Sequence, residues 1–244
     1  MNKELHGRVA LVTGAGRNIG RAIALALADA GASVAVNARR SKNEIDSVSS
    51  DIQASGGAAL AVLADVSDEV AVQRMVSAVL ERFGRIDVLV NCAASRAVEP
   101  IEAIDAKRWR EVTGVILDGA WFCARACLDA LKKSDAGSIV NIGGLSAHTG
   151  ATGRPHVIAA KEGLVGLTRA LAHDLAPHNI TVNCVVPGLI ETVRSSASAL
   201  AHKESPLGRR GKPEEVAAAA RFLAGPGARY ITGTVLHVSG GAAA

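Results

Sequence analysis

Apolar residues in this chain follow two alternating rhythms. Short continuous runs give way to longer stretches in which apolar positions recur at helical spacing. Val9–Thr13 is the first run, and the spacing that follows predicts a helix over Ile19–Ala30, stopped by Gly31. Ser33–Asn37 reads as the second strand, Asn43–Ser55 as a helix ended by Gly56 and Gly57, and Ala59–Leu63 as the third strand. In Asp68–Phe83 the residues Val72, Met75, Val76, Val79 and Leu80 share a helical face; Gly84 ends it, and Ile86–Asn91 is the fourth strand. The second half continues with a helical region over Asp105–Lys133, a strand at Ser138–Ile142, a helix over Pro155–Ala176 and a strand at Thr181–Val185. A polar, loop-like insertion, Glu191–Lys212, comes next. Pro213 then opens a helix from its first position, with Glu214 and Glu215 in the first turn, where acids favour the dipole. Val235–Val238 is the last strand. Strands alternating with helices predict βαβ units around a parallel sheet. No linker, repeat or low-complexity stretch interrupts them, so residues 1–244 read as one domain.

Composition supports that layering. Apolar residues make up 49% of the chain and aromatics 2%, which suits small branched side chains packed between sheet and helices. The net charge of +4 is mild and the basic residues form no run, so an anionic small ligand fits better than nucleic acid. The four cysteines, Cys92, Cys123, Cys127 and Cys184, lack zinc-ligand or redox spacing, and no metal site is expected. Cys123 and Cys127 share a helical face and leave a thiol pair open, beside the reading of small buried hydrophobes. The amino terminus has no apolar signal core and no run reaches membrane-spanning length, so a soluble cytoplasmic protein is expected.

Chemistry enters at the first strand, which runs into Thr13-Gly14-Ala15-Gly16-Arg17-Asn18-Ile19-Gly20 and then a helix. Glycines there let backbone approach a pyrophosphate, and the helix N-terminus offers free N–H groups. The segment resembles the Thr-Gly-x-x-x-Gly-x-Gly signature of the short-chain dehydrogenase/reductase family, with Asn18 replacing the middle glycine. Further matches span nearly the whole chain. Asp65-Val66 resembles the family's adenine-contacting pair, and Asn91-Cys92-Ala93-Ala94 stands where Asn-Asn-Ala-Gly is usual. Pro187-Gly188-Leu189-Ile190-Glu191-Thr192 resembles the segment holding the nicotinamide side, with Thr192 placed for the carboxamide. Pro206-Leu207-Gly208-Arg209 and the ending Val238-Ser239-Gly240-Gly241 also match, and the chain resembles a 3-oxoacyl-acyl-carrier-protein-reductase-like member of that family. The resemblance implies an α/β single-domain Rossmann fold, a doubly wound parallel sheet of about seven strands. It also implies homodimers or homotetramers built on the Trp109–Leu131 and Ile158–Leu175 regions and the last strand.

The second strand runs into Ala38-Arg39-Arg40, with Ala38 where an NAD-binding relative has Asp. An absent acid and present cations favour NADP(H), with Arg39 and Arg17 for the additional phosphate. The cofactor residues expected are therefore Gly14, Gly16, Arg17, Asn18, Ile19, Gly20, Arg39, Asp65, Val66, Asn91, Ala93, Lys161, Pro187, Gly188, Ile190 and Thr192.

At the reaction centre the match is partial. The resemblance implies a tyrosine that donates a proton, a lysine four residues later, a serine holding the carbonyl oxygen and an asparagine supporting a water relay. Here Lys161 is present, while Val157 holds the tyrosine position, Gly144 the serine position and Ile116 the asparagine position. The only tyrosine, Tyr230, lies near the last strand, so no tyrosine–lysine pair of that spacing exists. His156 precedes the vacancy and is of a residue type that can donate a proton, although adjacent helical residues point about 100° apart. His148 and Ser146 follow the fifth strand and enter the pocket if that loop folds inward.

Three readings follow. One is an NADP(H)-dependent reductase or dehydrogenase of a carbonyl/alcohol substrate, using His156 or a water held by Lys161. The others are a silent dinucleotide binder and a non-redox lyase or isomerase on the same scaffold. The insertion, which includes Arg194, His202, Lys203, Arg209 and Arg210, is expected to cover the pocket. Walls from Ile116, Gly144 and Val157 are expected to be apolar and roomy.

Overall fold

The alternation of the sequence becomes a three-layer sandwich in the computed structural model, which describes residues 3–193 and 205–243. The elements run β1 (Val9–Val12), α1 (Asn18–Asp29), β2 (Ser33–Ala38), α2 (Lys42–Ala54), β3 (Ala59–Leu63), α3 (Glu69–Phe83) and β4 (Val88–Asn91). They continue with α4 (Ala106–Thr113), α5 (Gly119–Lys133), β5 (Ser138–Ile142), α6 (Leu145–Thr149), α7 (Pro155–Leu175), β6 (Thr181–Pro187), α8 (Pro213–Ala224) and β7 (Val235–Val238). The seven strands form one sheet in the order β3-β2-β1-β4-β5-β6-β7, and every pairing is parallel. The chain builds outward from β1 to β3, then crosses back to place β4 on the other side of β1. That reversal opens a crevice at the carboxyl ends of β1 and β4, where ligands bind in such sheets.

Period-two alternation divides the strand side chains between two cores. Ala10, Val12, Val34, Val36, Val88 and Val90 meet α1, α2 and α8 on one face. Val9, Leu11, Ala35, Leu89 and Ile139 meet α3, α5 and α7 on the other. Local signals end the helices where the sequence places them. Asp68 caps α3 by accepting from the backbone N–H groups of Val70 and Ala71, and Gly84 closes it at φ 76°. Before α8, Glu215 reaches back to the Lys212 N–H at 2.7 Å while Arg209 grips the same carboxylate. Below the sheet, the fully buried Asp87 accepts from Val9 N–H, Ser134 Oγ and Arg85, tying β1, β4 and the α5–β5 turn together.

Three features differ from the periodic reading. The helical region over residues 105–133 is two α-helices joined by a π turn at Gly114–Asp118. Hydrophobic spacing cannot separate a π turn from α-helix, because one extra residue per turn blurs the pattern without breaking it. The turn lets two contacts coexist: Ile116 packs with Val112 and Val157, while Gly119 passes so close to Val66 that a Cβ there would sit 2.8 Å from Val66 Cγ2. β6 extends to Pro187, whose pairing with Val238 in β7 no local signal announces. The short α6 fills what the sequence leaves as loop. Among the described residues no helix is long and apolar enough to cross a membrane. Cys123 and Cys127 are free and fully buried in the core, and burial pushes the Cys123 thiol up to about 12.

Candidate functional site

The glycine loop leaves β1 and folds back on itself at the crevice. Gly14 adopts φ 63° and lies against Ala93, so an added Cβ would sit 2.8 Å from Ala93 Cα. Gly20 approaches Gly14 more closely still; a Cβ there would be 2.2 Å from the Gly14 carbonyl oxygen. Only glycine fits either contact. Asn18 has φ 51°, which explains why asparagine can stand where the family pattern has glycine. Its side chain also bonds both ways to Val193, donating to the carbonyl at 3.2 Å and accepting from the N–H at 2.9 Å. Arg17 begins α1 with no side-chain cap and no acid in the first turn, so free N–H groups and the positive dipole end face the loop. Ile19 anchors the helix in the core.

Around that loop, Thr13 Oγ1 accepts from the N–H groups of Cys92 and Ala93 and locks β1 to the end of β4. Asn91 donates to Asn141 Oδ1 at 2.9 Å, Asn141 donates to Thr168, and the Asn91 Oδ1 atom is buried with no hydrogen-bond partner. At the outer corner Arg17, Arg39 and Arg40 are exposed. They share it with two acids: Asp65 lies 3.7 Å from Arg39, and the Glu44 carboxylate folds over Gly16. Val66 is buried beneath. Opposite, Pro187 and Gly188 pass tightly beneath Ser239, and Ile190 bridges to Gly211. Thr192 lies at the edge, with Arg96 Nη1 3.5 Å from its Oγ1.

Lys161 rises from α7 into the floor of the cleft. Its Nζ donates to the Ile142 carbonyl at 2.5 Å, and burial lowers its pKa to about 8. The Arg96 charge pushes in the same direction, while the Cys92 and Cys184 thiols oppose it. Beside it, Gly144 is extended at φ −173°, and an added Cβ would meet only Lys161 Cγ, at 4.0 Å. Val157 and Ile116 pack together with Val112 and Ala160, with Ala97 and Leu117 against them. The residues expected to wall the pocket thus form a buried apolar cluster from the π turn, α4 and α7.

His156 is not brought to this floor. It is fully buried, its Nε2 lies 3.4 Å from Glu99 Oε2, and neither ring nitrogen has a hydrogen-bond partner among the described residues. Glu99 is held below the usual carboxylate range, chiefly by hydrogen bonds from Arg108. His148 packs edge-on against His237, with ring centroids 4.8 Å apart, and faces Glu162 at 3.8 Å. Ser146 lies beside it in α6. Sequence reasoning missed Arg96 and the thiols of Cys92 and Cys184 as neighbours of Lys161. Spacing holds no signal for them, since the segment after β4 delivers Cys92 and Arg96 and β6 delivers Cys184. Arg194, His202 and Lys203 lie outside the described residues.

Comparison with known proteins agrees with this geometry. Residues 14–243 match the family model described as enoyl-(acyl carrier protein) reductase. The chain is 40% identical to a 3-oxoacyl-[acyl-carrier-protein] reductase of Synechocystis sp. over 240 residues, 97% of each chain. A short-chain dehydrogenase from Burkholderia cenocepacia, solved in complex with NADP, superposes with a TM-score of 0.93 at 36% identity, covering 99% of this chain and 100% of that one. A blue fluorescent protein from a metagenomic library, solved in complex with NADPH, gives 0.93 at 34% identity, with 99% and 100% covered.

Proposed function

Because this chain belongs to the short-chain dehydrogenase/reductase family, we propose that it is an NADP(H)-dependent oxidoreductase of a carbonyl/alcohol pair that works without the family's tyrosine. The uncapped α1 N-terminus fits a pyrophosphate, and the exposed Arg17, Arg39 and Arg40 beside Ala38 fit a further phosphate. Bound dinucleotide supplies the hydride; the chain's own residues orient the substrate and move the proton.

The observation that carries the reading is the state of Lys161. A buried ammonium with a pKa of about 8 is matched to proton transfer near neutrality, and Gly144 leaves space beside it for a carbonyl oxygen. During reduction the carbonyl carbon gains the hydride, its π pair moves to oxygen, and the Lys161 ammonium or a water it holds supplies the proton. Water then restores the lysine. His156 remains a second candidate donor, and its burial against Glu99 favours a positioning role. The family's homodimer or homotetramer assembly is part of the same proposal, supported by Trp109 and Trp121, 41% and 43% exposed on α4 and α5. Sedimentation velocity reads it directly.

The test is transfer of deuterium from reductively labelled NADPH into a panel of ketones, diketones and β-ketoacyl thioesters. Label in an alcohol product is expected, with loss of about 10²–10⁴-fold in Lys161→Ala and a smaller loss in His156→Ala. Tight NADPH binding with no label transferred would point to the silent binder instead.

A further inference from the structure

The outer corner of the cleft holds a carboxylate that local sequence would place elsewhere. Ser41-Lys42-Asn43-Glu44 opens α2 with the spacing of a capping box, in which the serine caps the helix and the glutamate reaches back to the serine N–H. No such box forms: Ser41 makes no side-chain cap bond, and Glu44 turns onto the glycine loop instead. A Cβ added to Gly16 would sit 2.9 Å from Glu44 Oε2 and 3.0 Å from Glu44 Cβ, so the side chain lies along the loop. No described residue pairs with this carboxylate, although Arg17, Arg39 and Arg40 share the corner. Asp65 already faces Arg39 at 3.7 Å, so three cations stand against two acids and the corner is only weakly positive. In dinucleotide folds an acid after the second strand accepts from the adenosine ribose hydroxyls. Ala38 withholds that acid at the strand end, and Glu44 returns one to the same corner from the first turn of α2. A phosphate on that ribose meets Glu44 as a like charge instead.

We propose that Glu44 is a dinucleotide-selecting residue, accepting from the adenosine ribose hydroxyls of NAD(H) and opposing the additional phosphate of NADP(H), so that the chain binds both. The arginines favour the phosphorylated form and Glu44 narrows the gap. The proposal rests on the dinucleotide reading of the cleft and on no turnover, since the contact lies at the adenosine end.

Calorimetric titration of NADPH and of NADH into the protein without dinucleotide is the test. In Glu44→Ala, NADH binding is expected to weaken about 10-fold, as for a lost hydrogen bond to a charged acceptor, while NADPH binding tightens several-fold. Glu81→Gln, which removes an exposed acid from α3, is expected to bind both as wild type does. Should Glu44→Ala fail to fold, Glu44→Gln, which keeps the shape and removes the charge, must move the NADPH-to-NADH affinity ratio in the same direction. Equal NADH affinity in wild type and Glu44→Ala, NADPH binding that does not tighten, or no NADH binding by wild type overturns the proposal and leaves an NADP(H) site intact. Wild type that binds neither dinucleotide removes the dinucleotide reading as well.

Discussion

Gly144 and Val157 make the proposed reaction centre testable at the scale of single atoms. Gly144 is extended and faces open space, so Gly144→Ser meets no backbone strain and no steric contact closer than 4.0 Å. Combining it with Val157→Tyr is expected to raise kcat/KM for a carbonyl substrate by about 10²-fold or more, because a pre-placed hydroxyl donor and a matched proton donor act together. Steady-state kinetics at saturating NADPH checks this, and an unchanged rate would show that the missing side chains do not limit turnover. Lys161 makes a second prediction. Its depressed pKa of about 8 means that the ammonium, the form able to donate, is lost as pH rises through that value. The pH profile of kcat/KM for reduction is therefore expected to fall above about pH 8, and alcohol oxidation is expected to strengthen there. At this scale the sequence was informative about absences. One tyrosine in the wrong place excluded the ordinary donor, and the glycine loop announced itself. The Arg96–Thr192 contact was silent because its two ends stand 96 positions apart.

Among the elements, the least expected link is the one from Asn18 to Val193, which joins the glycine loop to the segment leaving β6. Asn18→Gly keeps the positive φ and removes both bonds. Amide hydrogen exchange at Val193 is expected to rise about 10-fold, in line with losing a hydrogen bond worth about 1 kcal/mol. Protection equal to wild type would mean that backbone packing alone holds this segment. Strand and helix existence was legible from periodicity almost throughout, since the two faces of a parallel sheet demand continuous apolar runs. Boundaries were less so. The extension of β6 through Pro187 depends on pairing with β7, and α6 depends on tertiary position rather than on any repeating pattern.

Across the whole molecule, the two cores meet the solvent differently at the two ends of the sheet. The carboxyl ends of the strands carry the cleft, and the opposite end is closed by Asp87. Burial alone would raise the Asp87 carboxyl, but hydrogen bonds from Arg85, Ser134 and the Val9 N–H outweigh it and hold the pKa below the usual value. The stabilisation is therefore complete above the unfolded value of about 4 and is lost as pH falls through the lower folded value. Thermal melts are expected to show a steeper loss of stability below about pH 4 in wild type than in Asp87→Asn. At pH 7 the same substitution is expected to cost about 1–3 kcal/mol, a drop of several degrees in Tm. Equal melting temperatures would place the stability of this end elsewhere.

The π turn at Gly114–Asp118 gives the chain a reading frame of its own. Any substitution within the turn leaves the count of residues, and so the phase of α5, unchanged. Deleting a single codon there, such as that of Val115, would let the turn close to ordinary α-helix and leave the phase beyond it nearly unchanged, because the wide turn is what accommodates the one additional residue. Deleting one at the start of α5 instead would rotate everything after it by about 100°, and Cys123, Cys127 and Leu131, now in the core, would swing toward solvent together. This helix therefore tolerates a shorter turn before it and almost no change of length within it.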